Sequence, residues 1–415
     1  MATLRIAVIS HVLPFPGSSG QQQRVRYTLA ALRKYFHVTF IFPARVEDDE
    51  ELREQLKPFC DEVILIPSAY PDSKMAKLRH RLSAYSYSLR TGLRLSNYFL
   101  GQLEFTPARL ASLVPVERFD CALFEYWHAT EAAKMFAARG VPCVLDMHNI
   151  LWQSYKSDLS FVKGVPAWWK RRLVRKYKRI EEAAWKQYGA VIAINREEWY
   201  YVRPRLAEGA SLFYTPMGVD LQQWPYCWSP VDPPRFAYYG GFRGQHNRAG
   251  ALKCAQEIMP EIWRRYPKAE LWLVGSNPPE SLQMLSADPR IQVTGYVESV
   301  PEVLSNVLAV MCPWSGTYGF RSRLIEAMAL GVPVITSPDA LAGVEFTNGK
   351  GVLLAESIPE FAAKALRLLD FPEFAAAQSR YAREQVQALY SFENTYGAMA
   401  SDLYHWRQSG KAICA

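Results

Sequence analysis

Gly316-Thr317-Tyr318-Gly319-Phe320-Arg321-Ser322-Arg323-Leu324-Ile325-Glu326-Ala327-Met328-Ala329-Leu330-Gly331-Val332-Pro333-Val334-Ile335 reads as a small-residue turn, a helix and the opening of a strand. An apolar, strand-like run over 308–313 precedes it. Gly331-Val332-Pro333 ends the helix and starts the next strand. Strand, helix, strand in that order is the unit from which parallel sheets are built. The helix opens with two arginines. Its first backbone N–H groups point outward, and the dipole there favours anions. Arg321 and Arg323 add fixed charge with bidentate geometry for phosphate oxygens. Glu326 follows about one turn further in, where a carboxylate can accept from a pair of ribose hydroxyls.

The same alternation extends outward from this stretch. In the second half, strands are expected at 235–240, 269–275, 291–295, 332–337 and 351–354, with helices over 247–265, 299–305, 358–369 and 372–389. The first half repeats the scheme. Its strands fall at 4–10, 37–43, 62–67, 121–127, 141–148 and 190–195, and its helices at 21–35, 129–139 and 168–186. Pro216, Pro225, Pro230, Pro233 and Pro234 crowd the segment between the halves. At 415 residues, 49% hydrophobic, the chain is too long for one core and too apolar for disorder. The fold class expected is therefore α/β, with two Rossmann-like, doubly wound domains facing across a cleft. Residues 1–212 are expected to form the first domain, 213–234 a linker, 235–390 the second domain, and 391–415 a final helical stretch.

Glu326-Ala327-Met328-Ala329 followed by Gly331-Val332-Pro333-Val334-Ile335 resembles the signature of the group 1 glycosyltransferases, the retaining family 4 with the GT-B fold. That family carries a second Glu eight positions earlier, where this chain has Tyr318. Arg323 resembles the basic residue that some branches keep before this helix. Pro216-Met217-Gly218-Val219-Asp220 is similar to the family's segment at the entry to its second domain, and Ser19-Gly20 to its glycine loop. The resemblance implies donor-binding roles for Gly20, Arg243, Arg248, Tyr296, Tyr318, Gly319, Phe320, Arg321, Arg323 and Glu326. It also implies that a strand end near Asp120–His128 faces the reacting sugar. Glu125, His128 and, at the end of the next strand, His148 are the candidate catalytic residues, to orient the donor sugar or the acceptor hydroxyl. The implied reaction moves a sugar from a nucleotide diphosphate donor to a glycan or lipid-linked acceptor in polysaccharide biosynthesis. Arginines and amides stabilise the leaving group, with no metal and no cofactor beyond the co-substrate. A nucleotide-sugar epimerase of the same fold and a non-catalytic nucleotide-sugar-binding protein stand as alternatives. A dinucleotide oxidoreductase is disfavoured, because 17–20 lacks GxGxxG and no acid closes the second strand.

Charge narrows the partners. Net charge is +8, and two segments hold more than that excess. Residues 74–100 carry six Lys and Arg and no acid, and 163–179 carry eight and no acid. Met75, Leu78, Leu82, Tyr85, Leu89 and Leu93 make one helical face in the first, and Trp168-Trp169 precede the second basic run. Both segments suit an anionic membrane surface. No nucleic-acid-binding pattern accompanies them. None of the seven cysteines is spaced as CxxC, which suits reduced thiols. The amino-terminal run reads as a strand, not a signal peptide. The expectation is a cytoplasmic protein, peripheral on the inner face of the plasma membrane.

Overall fold

The computed structural model describes residues 3–17, 19–44, 49–68, 75, 78, 82, 86, 103–160, 162–316 and 320–410. The chain divides into two units, Met1–Pro216 with Tyr396–Ala415, and Met217–Thr395.

Unit 1 is built on a seven-stranded sheet. Its strands are β1 Leu4–Ile9, β2 Phe36–Ala44, β3 Glu62–Pro67, β4 Cys121–Glu125, β5 Cys143–Asp146, β6 Ala190–Ala193 and β7 Ser211–Tyr214. They are ordered β3-β2-β1-β4-β5-β6-β7, with every pairing parallel. All residues of β4, β5 and β6 are buried, as expected when helices cover both faces of a parallel sheet. Among its helices are α1 Gly20–Leu32, α2 Glu50–Leu56, α3 Thr130–Ala137, α4 Leu151–Ser160, α5 Ala167–Trp185 and α6 Arg196–Val202. Winding reverses between β1 and β4, the kind of switch point beyond which such sheets bind ligands.

Two strand ends depart from the sequence reading. β4 stops at Glu125 and β5 at Asp146, rather than running to Trp127 and His148. Tyr126 (φ 71°) and His148 (φ 56°) take left-handed backbone there, which ends the extended ladder. Phe213 and Tyr214, at the start of the proline-rich segment, close β7 instead of leaving the sheet.

Helix α5 shows how the basic run is divided. Leu173, Tyr177, Glu181, Ala184 and Trp185 make its buried face at steps of three and four. Burying a side chain such as Leu173 contributes about 1.5–3 kcal/mol. Arg171, Arg172, Arg175, Lys176 and Arg179 are exposed, as are Trp168 (60%) and Trp169 (40%). Of the 74–100 segment only positions 75, 78, 82 and 86 are described. They are helical, with Met75, Leu78 and Leu82 exposed, and the rest of that expected face lies outside the described residues.

Unit 2 carries a six-stranded parallel sheet ordered β10-β9-β8-β11-β12-β13. Its strands are β8 Arg235–Tyr239, β9 Glu270–Val274, β10 Ile291–Gly295, β11 Ala309–Cys312, β12 Val334–Thr336 and β13 Val352–Leu354. Helices α7 Gln245–Lys253, α8 Met259–Trp263, α9 Val300–Leu304, α10 Ser322–Ala329, α11 Ile358–Asp370 and α12 Pro372–Leu389 surround it. Ser299 and Ser357 cap α9 and α11, each accepting from the N–H three residues on. The final helix, α13 Ala398–Gln408, belongs to unit 1. There Arg407 Nε donates to the Asp120 carbonyl at 2.6 Å, and Tyr404 packs against Tyr35 and Phe36. Among the described residues six cysteines are free thiols, and no helix is long and apolar enough to cross a membrane.

Candidate functional site

In unit 1 the buried polar residues gather past the ends of β4 and β5. The strand register sets Glu125 directly beside Asp146. Two buried carboxylates so placed repel one another unless a cation intervenes. Arg24, fully buried on α1, grips both Asp146 oxygens at 2.7–2.9 Å and donates to the Thr215 carbonyl at 3.0 Å. Burial works against the guanidinium, but Asp146, with Tyr396 and Glu125 behind it, outweighs burial and raises its pKa. His148 comes over from the turn after β5 and closes its Nε2 on the Glu125 carboxylate. Its ring stacks on Tyr126 with centroids 4.2 Å apart. Tyr126 and His148 both hold positive φ, a conformation that costs a non-glycine residue about 1–3 kcal/mol and collects at functional sites.

Burial raises the Glu125 carboxyl pKa, and the neighbouring His148 ring pulls against that rise. The second Glu125 oxygen, Oε1, is buried without a hydrogen-bond partner among the described residues. His11 packs on the other side of this cluster, against Tyr126. Burial, and then His148, lower its pKa to about 4, so it is neutral. His128 sits apart. Its Nε2 meets the Tyr177 hydroxyl at 3.1 Å, its ring stacks on Trp127, and burial pushes its pKa well down. Helix α4 begins just past His148, and two carboxylates from other helices hold its start. Glu181 on α5 accepts from the N–H groups of Leu151 and Trp152 at 2.8 and 2.7 Å, and Glu198 on α6 from Ile150 at 3.3 Å. Burial drives Glu181 well above the usual carboxyl range and Glu198 to about 7.

Glu125, Asp146 and His148 each present a ligand atom within 4.8 Å of the others, a spacing that metal ligands share. Arg24 already occupies both Asp146 oxygens, and Glu125 closes on His148. Of this set only Glu125 Oε1 is left open by the described residues, and one free carboxylate oxygen does not make a site for a resident ion.

The loops at the carboxyl end of the unit 2 sheet are built differently. Gly240 and Gly241 follow β8, and Gly275 follows β9 at φ 156°. A Cβ on Gly275 would stand 2.0 Å from the Gly240 carbonyl oxygen, so only glycine permits the two turns to touch. Arg323 lies over this bare backbone. Its Nη2 is 3.5 Å from where a Gly241 Cβ would be, and its guanidinium is 5.1 Å from the Tyr239 ring centre. Arg323 Nη1 is buried and has no acceptor among the described residues. Arg321 donates from Nη2 to the Gly316 carbonyl at 2.9 Å and stacks 4.2 Å from the Trp314 ring centre. Helix α10 starts between the two arginines with no side-chain cap and no acid in its first turn. Glu326 is buried and accepts from the Tyr239 hydroxyl at 2.6 Å. Burial and the Glu326 charge raise that hydroxyl's pKa well above its ordinary value, which keeps it a donor.

The other expected donor contacts are placed as follows. Gly20 opens α1, which Ser19 caps by accepting from Gln22 N–H at 3.3 Å. Arg243 is exposed ahead of α7, and Arg248 is half-buried within it. Tyr296 is 70% exposed directly after β10. Phe320 is half-buried with its ring 6.2 Å from Tyr390. Tyr318 and Gly319 lie outside the described residues. The sequence reading did not single out Asp146, Tyr239 or Trp314, which touch candidate residues, or Arg24, which holds Asp146. Tyr239 did carry a signal, since it ends an apolar strand directly before Gly240-Gly241. For Arg24, 122 residues from Asp146, no local pattern exists.

Comparison with known proteins agrees with this construction. A model described as glycosyl transferase 4-like domain matches residues 19–218, and one described as glycosyl transferases group 1 matches 233–370. A search of curated proteins finds no match. Among solved structures the chain is similar to sucrose-phosphate synthase from Thermosynechococcus elongatus. The two are 19% identical with a TM-score of 0.66, over 98% of this chain and 100% of that one. TarM is 11% identical with a TM-score of 0.68, over 97% and 99%. Anabaena HepE, solved in complex with UDP-glucose, is 11% identical with a TM-score of 0.61, over 97% and 100%. At such identities the likeness speaks to the fold, which is GT-B, and the two sequence matches speak to the family. The chain belongs to the group 1 glycosyltransferases, the retaining family 4 enzymes that transfer a sugar from a nucleotide sugar.

Proposed function

We propose that the enzyme transfers a hexose from a UDP-sugar, with retention, to a hydroxyl of a lipid-linked or cell-envelope glycan. The observation that carries the donor half is Arg323, a half-buried cation whose Nη1 is itself buried with no acceptor among the described residues, set over the Gly240-Gly241 backbone. An arginine kept in that state suits a diphosphate that arrives with the substrate. Breakage of the anomeric bond puts negative charge on the leaving diphosphate. Arg323, Arg321 and the uncapped start of α10 are preorganised to receive it. Arg243 and Arg248 extend the positive surface, and Glu326, steadied by Tyr239, accepts from the ribose hydroxyls. Tyr296 offers its ring to the base. Uracil is the base assigned because HepE binds UDP-glucose. Glu125 and His148 orient the reacting hydroxyls through the unused Glu125 oxygen, while His128 is held apart from them by Tyr177.

Titration calorimetry with UDP tests the donor site. Arg323→Ala should weaken UDP by about 100-fold, the loss of a bidentate charge-assisted contact. Unchanged affinity would remove the phosphate role. Release of UDP that rises only when a glycan acceptor is added separates transfer from epimerisation and from simple binding.

The acceptor half rests on α5. Five exposed Arg and Lys beside exposed Trp168 and Trp169, with no acid among them, fit the headgroup layer of an anionic bilayer. Vesicles of phosphatidylglycerol and phosphatidylcholine should pellet the enzyme, and replacing Arg171, Arg172, Arg175 and Lys176 by Gln should abolish this. Equal pelleting of the variant would show that α5 is not the membrane contact.

A further inference from the structure

A cavity of about 430 Å³ opens in unit 2 beyond the ends of β11, β12 and β13. That volume falls in the range of small-molecule sites, ~300–1,000 Å³. Its wall includes Trp314, next to the donor-side turn, but not Arg321, Arg323 or Glu326. Its charged lining is Lys253, Glu257, Asp339 and Glu356, one cation against three carboxylates. A net acidic wall repels a diphosphate, so this cavity is no extension of the donor site. Among the described residues, the side chains of Lys253, Glu257 and Glu356 make no ion pair and no hydrogen bond, although all three line the same space. Asp339 spends one oxygen on the Gly316 N–H at 2.8 Å and keeps the other. Trp314 and Phe361 add aromatic surface.

Each group matches one feature of a sugar ring. Carboxylates accept from hydroxyls, an ammonium donates to hydroxyl and ring oxygens, and an indole covers the apolar C–H face. A charged ligand of either sign would leave part of this lining opposed to it. We infer that the cavity binds an uncharged sugar ring of the glycan acceptor, so that unit 2 recognises acceptor as well as donor. The inference rests on the transfer reading above and adds a second saccharide site to it. Arg321 stacks on Trp314, which links the wall of this cavity to the start of α10.

Saturation-transfer NMR on the full chain tests it. The probes are the methyl glycosides of glucose, galactose, mannose and N-acetylglucosamine, together with maltose and lactose, each with UDP present. At least one saccharide should receive saturation with UDP bound. Its affinity should fall about tenfold in Glu356→Gln and again in Lys253→Ala, the loss of one charge-assisted contact each. UDP affinity should remain within about twofold, since neither residue touches the donor groups. Glu356 is exposed, so Glu356→Gln leaves the fold intact. No saturation of any saccharide overturns the inference, as does binding that survives both substitutions. Failure of the unaltered chain to bind UDP counts instead against the transfer reading.

Discussion

The two sheet ends handle charge in opposite ways. In unit 1, Asp146 is matched by Arg24 and Glu125 by His148, all buried within a few ångströms. In unit 2, Arg323 keeps an unmatched N–H over a glycine turn, and α10 begins with no acid and no cap. One end has paired its charges during folding, with the Glu125 Oε1 alone left open, and the other leaves a cation to be paired by a ligand. Mutations should therefore damage stability at the first end and affinity at the second.

The sharpest test is Arg24→Met. It leaves Asp146 buried without its cation, which costs about 3–5 kcal/mol. Denaturant unfolding measures this, and Arg24→Met with Asp146→Leu should recover most of the loss. Arg323→Ala in the same assay should stay within about 1 kcal/mol of the unaltered chain, because it loses no more than its approach to the Tyr239 ring. Similar losses for both single variants would erase the distinction between the two ends.

A smaller effect concerns pH. Glu198 has its folded-state pKa raised to about 7 by burial, against an ordinary 4.5. A raised carboxyl binds its proton more tightly in the folded chain, so its contribution is complete below pH 4.5 and is lost as pH climbs to about 7. The slope follows from linkage and amounts to roughly 3 kcal/mol at most. Glu198→Gln, which still offers an oxygen to the Ile150 N–H, should flatten the stability profile between pH 5 and 7.5. An unchanged slope would assign the pH dependence to another group, with Glu181 next in line.

Much of the fold was open to reading along the chain, and the exceptions share a cause. Strands β3 and β10 and helix α12 fall where periodicity puts them, because continuous apolar runs and long amphipathic faces are local properties. Helix α4 was not foreseen. Its pattern, Leu151-Trp152-Gln153-Ser154-Tyr155, is weakly amphipathic, and its start is secured by Glu181 from another helix. Helix α6 was also missed, although Asn195 followed by Glu197 and Glu198 is a helix-start signal.

The sequence by itself determined the two α/β halves, the arginine-bearing helix start, the Glu326 helix and the basic face with its paired tryptophans. These depend on residue type and spacing over one or two turns. Tertiary structure alone decided that Glu125 meets His148 while His128 turns to Tyr177, that Arg24 neutralises Asp146, that Tyr239 holds Glu326, and that Lys253 shares a cavity with three carboxylates. Those pairings join residues far apart in the chain. They form only when parallel strands bring their ends to one edge, where burial makes each unmatched charge costly and so selects its partner.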